Sequence, residues 1–136
     1  MKLLLDINVV LDLFLERQPW VADAALLLSA IERGEAEGYV AGHTITTVYY
    51  VVAEARDRRV AAVAVTGLLR ILQVVPVDAA DFQQALVLGP SDFEDAAQVA
   101  AALKAGASYV VTRDDRNFRS GPLPPRSPGE ILALLH

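Results

Sequence analysis

The sequence predicts an α/β fold, a parallel sheet of four or five strands covered by helices on both faces. Three observations predict it. Short apolar runs alternate with helix-patterned stretches along the whole chain, the arrangement that builds a parallel sheet. Glycine, proline and capping residues punctuate the boundaries. Acidic residues stand where apolar segments end or begin: Asp6 closes Met-Lys-Leu-Leu-Leu, Asp92 and Asp95 open an Ala-rich stretch, and Asp114 follows Tyr-Val-Val-Thr. The 136 residues are expected to form one domain, 1–136, large enough to bury a core without staples.

Each element follows in order. Residues 2–5 are an apolar run typical of a buried strand, and Asn8 to Leu15 reads as a short helix. Val21, Ala24, Ala25, Leu28 and Ile31 recur at helical spacing until Arg33-Gly34, a stop signal. Tyr39 to Ala41, between Gly38 and Gly42, is the second strand. Thr44 to Val52 is rich in strand formers. It lacks strict alternation, however, and Ile45, Val48 and Val52 share a helical face that runs into Ala53-Glu54-Ala55-Arg56, so it is read as helix. Val60 to Leu72 is a further helix. Val74 to Val77 is a strand whose Pro76 marks an end or an edge. Asp78 with Asp81 caps a helix that turns Phe82, Ala85 and Leu86 inward and stops at Gly89-Pro90. Ser91 with Glu94 has the form of a capping box, predicting a helix from Asp92 to Ala105 that ends at Gly106. Tyr109 to Thr112 is the fourth strand. Residues 120–129 form a Pro- and Gly-rich loop with a short edge strand at Leu123, before a small terminal helix.

Composition narrows the function. Hydrophobic residues make up 54% and charged residues 21%, which argues against disorder. Cysteine is absent, excluding disulfides, thiolate nucleophiles and Cys-type zinc sites. No apolar run is long enough to span a bilayer, and the amino terminus is too short in apolar residues for a signal peptide, so a cytoplasmic protein without membrane contact is expected. The net charge of −5 is the wrong sign for a broad nucleic-acid-binding face. Positive charge is concentrated in arginine: Arg113, Arg116 and Arg119 follow the last strand beside Asp114, where guanidinium forks suit phosphate. Arg56, Arg58 and Arg59 read as solvated helix ends.

Each acid also has a structural explanation. Asp6 could cap the first helix, Asp92 and Glu94 would be stabilised by a helix dipole, and Asp114 and Asp115 could be turn residues. Asp95 shares a face with Val99, Ala102 and Leu103, and a carboxylate on a buried face needs an arginine or a metal as partner. Convergence distinguishes the set. If the strands are parallel neighbours, their carboxyl ends share the edge where open α/β folds bind ligands. Crowded carboxylates there suit a hard cation such as Mg²⁺ or Mn²⁺ and a phosphodiester substrate. With His43 and His136 the only histidines, no histidine metal cluster exists.

These residues resemble a known family. Leu-Leu-Leu-Asp6-Ile-Asn8-Val-Val-Leu-Asp12 is similar to the opening of a PIN domain. Asp92-Phe-Glu-Asp95-Ala-Ala and Thr112-Arg113-Asp114 running to Asn117-Phe118 are similar to its two later acidic motifs. The resemblance spans nearly the whole chain, including Tyr49-Tyr50 and Val-Val-Pro-Val. It implies a three-layer α/β/α sandwich and Mg²⁺- or Mn²⁺-dependent cleavage of RNA, as in the toxin halves of VapBC-type toxin–antitoxin pairs. By the same resemblance Asp6, Asp95 and Asp114 are catalytic and hold the metal with Asp92. Asn8, Thr112, Arg113 and Arg116 are the expected substrate contacts, with Asn8 orienting Asp6 or a water. RNA, an antitoxin protein and a second copy in a homodimer are the implied partners.

Two positions depart from the family. Thr47 stands where a Glu or Asp is common, and Glu54, about 10 Å further along the helix, is too far to replace it. Asn117 stands where an Asp often precedes the Phe. The first departure leaves one fewer charge and implies reduced metal affinity and activity. It also opens a rival reading, a PIN-like module that binds RNA or protein without cutting. Aspartyl phosphotransfer is disfavoured, because Asn8 stands where a second aspartate is needed and Lys104 precedes the last strand.

Overall fold

The computed structural model describes residues 1–136. Five strands, β1 (Lys2–Leu5), β2 (Glu37–Ala41), β3 (Gln73–Val75), β4 (Tyr109–Val111) and β5 (Pro125–Arg126), form one sheet in the order β3-β2-β1-β4-β5. Every pairing is parallel. The helices are α1 (Ile7–Phe14), α2 (Val21–Glu32), α3 (Gly42–Ala55), α4 (Arg58–Ile71), α5 (Ala79–Ala85), α6 (Phe93–Ala105) and α7 (Pro128–Leu135).

Strand alternation builds the two cores. Leu3 and Leu5 point to one face, where they pack with α1, α2, α3, α4 and α7 through residues such as Val10, Leu27, Val48, Leu68 and Ile131. Leu4 points to the other, where Tyr39, Val75 and Val110 meet Val99, Ala101 and Ala102 of α6. The small α6 side chains let that helix lie close on the sheet. The result is the expected α/β/α sandwich, with β1 at its centre buried on both faces.

The Thr- and Val-rich segment is helical. Thr44, Val48 and Val52 recur every four residues on the buried face of α3, so tertiary burial overrides strand propensity. Gly106 ends α6 with φ of 74°, a conformation glycine adopts without penalty.

Several details differ from expectation. α1 starts at Ile7 rather than Asn8, and β3 stops at Val75 because Pro76 has no N–H to offer the ladder. Leu86 lies beyond the end of α5 and is 72% exposed rather than inward. The capping box expected from Ser91 and Glu94 does not form. Asp92 is the N-cap instead, its Oδ1 accepting the Asp95 N–H at 3.0 Å. The edge strand lies at Pro125–Arg126, not Leu123. No helix is long and apolar enough to cross a membrane.

Candidate active site

The strand order reverses direction between β1 and β4, so the crevice at their carboxyl ends is the topological switch point. Asp6 follows β1 and Thr112 follows β4. The backbone joins them: Asp6 N–H donates to Val111 O at 2.9 Å. Asp6 sits at the N-cap position of α1. It is 3% exposed and turned into the crevice, where Gln98 Nε2 donates to Oδ1 and Thr112 Oγ donates to Oδ2, both at 3.0 Å. The backbone at Ile7 and Asn8 also holds the Asp6 carboxyl, so this acid serves the start of α1 and the crevice together.

α6 delivers the second acid. Asp95 stands in its first turn, 9% exposed, and its Oδ1 accepts Gln98 Nε2 at 3.3 Å. One amide thus bridges two carboxylates, while its Oε1 accepts the Ile7 N–H at 3.0 Å. Gln98 is fully buried with both ends engaged, as a buried amide requires. Gln98 is not among the residues that the acidic pattern singles out. A signal was present, since a glutamine set among Ala97, Val99, Ala100 and Ala101 on a buried helix must have partners.

The electrostatics are those of crowded anions. Burial pushes the Asp6 carboxyl up, against the hydrogen bonds from Gln98 and Thr112. Asp95 is pushed up to about 7, first by burial and then by the negative charges of Asp6, Asp92, Glu94 and Asp114. Glu94 is raised by burial and by repulsion from Asp92 and Asp6. Acids after β1, at the start of α6 and after β4 therefore all act on Asp95, as convergence demands.

The expected four-carboxylate metal set is not preassembled. No group of three carboxylates or imidazoles stands in ligating arrangement. Asp92 spends one oxygen on the α6 cap. Asp114 is exposed, and its backbone N–H donates to Thr112 Oγ at 3.1 Å. The donor chemistry still fits a hard cation. Mg²⁺ keeps several waters and needs only one or two protein carboxylates, and Asp6 with Asp95 supplies two whose mutual repulsion a cation would relieve.

The expected substrate contacts divide. Thr112 is 2% exposed and its hydroxyl is engaged by Asp6, so that hydroxyl positions the acid. The Asn8 side chain is exposed and accepts Arg17 Nη1 at 3.4 Å, while the backbone at Asn8 hydrogen-bonds the Asp6 carboxyl. Arg113 forks onto Asp12 with Nε at 2.7 Å and Nη2 at 3.3 Å, and its guanidinium lies 3.8 Å from the Trp20 ring centroid. Asp12, which closes the opening motif, is 1% exposed. Arg116 is exposed. Thr47 Oγ donates to His43 O at 3.1 Å, a bond within α3. Both ring nitrogens of His43 are buried, and burial lowers its pKa against an opposing contact with the Glu94 backbone.

Comparison with known proteins bears on the family and the fold. A 27% identical relative over 124 residues, covering 88% of this chain and 85% of that protein, is ribonuclease VapC1 of Aquifex aeolicus. Among solved structures, Mycobacterium tuberculosis VapC20, described as a Sarcin-Ricin loop cleaving toxin, matches with a TM-score of 0.70 at 18% identity. That match covers 88% of this chain and 95% of VapC20. VapBC2 from Rickettsia felis, bound to a DNA fragment from its promoter, matches with a TM-score of 0.69 at 14% identity, covering 93% and 98% of the two chains. A family model for the PIN domain matches residues 2–116. With most of its length matched and its acids gathered at the β1/β4 crevice, the chain belongs to the PIN domain family.

Proposed function

We propose that the protein is an endoribonuclease that needs a divalent cation, Mg²⁺ or Mn²⁺, and is the toxin half of a type II toxin–antitoxin pair. The observation that carries this reading is the bridging of Asp6 and Asp95 by Gln98, which holds two repelling carboxylates together at the switch point. The relationship to ribonuclease VapC1 and the likeness to VapBC2 support the activity and the antitoxin partner.

Asp6 and Asp95 are the residues to hold the cation, with Asp114 and Asp92 at the rim. A bound cation supplies charge stabilisation at the phosphate and a more acidic water. The chain's own residues do the rest. Gln98 and Thr112 fix the carboxylates, as outer partners of metal ligands do. Arg116 and its neighbouring arginines attract the strand. Water attacks phosphorus in line, the bond to the 3′ oxygen breaks, and that oxygen leaves with a proton, giving 5′-phosphate and 3′-hydroxyl ends.

A second reading, a PIN-like module that acts by binding RNA or protein, rests on the neutral Thr47. Cleavage of labelled RNA in Mg²⁺ and in Mn²⁺ separates the two. The nuclease reading expects cutting by the wild type and none by Asp6→Asn. No cutting by the wild type, with cutting gained in Thr47→Glu, identifies the weakened module. Homodimer formation belongs to the proposal and is checked by sedimentation.

A further inference from the structure

The acidic crevice has a neighbour of opposite sign. A cavity of about 350 Å³ opens between the ends of β4 and β5 and the start of α7, with Thr112, Arg113, Arg119, Arg126, Ser127 and Glu130 on its walls. Pro125 is the one apolar side chain beside it, and Asp115 adds a second carboxylate to three guanidinium groups, so the lining is polar and carries more positive than negative charge. Thr112 is the partition between the two sites, lining this cavity while its hydroxyl donates to Asp6.

The three guanidinium groups are incompletely used. Arg126 has no carboxylate partner; its Nη1 donates to Pro125 O at 2.7 Å and the group stands 5.3 Å from the Tyr109 ring centroid. Arg119 pairs only with Asp115 at 2.9 Å, and both side chains are more than 60% exposed, a pair that solvent screens and a stronger anion displaces. Arg113 points Nε and Nη2 at Asp12 and leaves Nη1 without a protein partner. Glu130 is occupied by the Ser127 N–H at 2.9 Å. Arginine forks around a small polar cavity match the oxygens of a phosphate.

We propose that this cavity is a phosphate subsite, holding a backbone phosphate of the RNA strand beside the one to be cut. It rests on the nuclease reading and answers the charge problem, because a chain of net charge −5 then grips RNA at one built point instead of along a basic face.

The test is binding of labelled single-stranded RNA in Mg²⁺ by the Asp6→Asn protein, alone and carrying Arg119→Gln, Arg126→Gln or both. Each substitution is expected to raise Kd about 5-fold. The double variant is expected to lower the slope of log K against log salt by about 0.7, one phosphate contact on a single strand. Arg126→Lys retains the slope. Arg58→Gln, on α4 by the opposite sheet edge, changes neither quantity. Arg119, 67% exposed, carries the test should β5 not tolerate change at Arg126. Unchanged Kd and slope in the double variant, alongside RNA cleavage by the wild type, overturn the subsite and leave the nuclease reading intact. Absence of RNA binding by the Asp6→Asn protein together with no cleavage by the wild type overturns both.

Discussion

Replacing Asp95 with Asn removes one charge from the crowded crevice and leaves an oxygen to accept Gln98 Nε2. The wild-type carboxyl titrates near 7 instead of its ordinary 3.8, because of burial and then the charges of Asp6, Asp92, Glu94 and Asp114. The folded chain therefore holds this proton up to about pH 7, whereas the unfolded chain has released it by about pH 4. More protons are bound when folded, so stability is highest below that window and is lost as pH rises through it. The span from 3.8 to about 7 corresponds to about 4 kcal/mol at about 1.4 kcal/mol per pH unit. Solvent at the open side of the crevice screens the repulsion and reduces the expected effect to about 2 kcal/mol. The Asp95→Asn protein lacks this loss. Its stability relative to wild type is expected to improve by about 2 kcal/mol, or about 6 °C in Tm, between about pH 4 and about pH 8. Urea unfolding followed by circular dichroism in EDTA measures it. A difference that is flat with pH, or that shrinks as pH rises, refutes the crowded-anion account.

Other predictions concern the supports. Gln98→Leu strands the Ile7 N–H and removes the donors to Asp6 and Asp95, and urea unfolding should show a loss of about 2–4 kcal/mol. Arg113→Ala removes the fork from the Asp12 carboxylate and leaves it only Arg17 Nη1 at 3.6 Å, costing about 2 kcal/mol. Intrinsic fluorescence should change as well, since Trp20 is the only tryptophan and lies under that guanidinium. Arg113→Lys restores charge but not the two-point contact, and should recover only part of the loss. Gly38→Ala places a methyl group 2.5 Å from Leu72 Cδ2 and 2.9 Å from Ile31 Cδ1; thermal melting should report about 1–2 kcal/mol of destabilisation as those side chains shift.

Much of the fold is legible because its signals are local. The apolar run 2–5, the stop at Gly106 and the cap at Asp78 each act within a few residues. The helical reading of Thr44 to Val52 succeeds because its spacing reports the buried face more faithfully than propensity does. Boundaries fail where a neighbour decides: Asp92 rather than Ser91 caps α6, and β5 forms where residues 125 and 126 reach β4. In the crevice the acids are visible in sequence because they follow strands. Their connections are not. Gln98 bridges to Asp6 across 92 positions and Asp12 meets Arg113 across 101, pairings that only the folded chain creates. Thr112 stands beside Asp114 in sequence, and the hydrogen bond from its hydroxyl to Asp6 is created only by the pairing of β1 with β4.

Calorimetric titration of Mn²⁺ into the wild type, Asp6→Asn and Asp95→Asn proteins tests most directly whether the gathered carboxylates form a cation site. Saturable binding by the wild type that weakens sharply in both variants is the predicted result. No binding by the wild type, or binding that both variants retain in full, contradicts it.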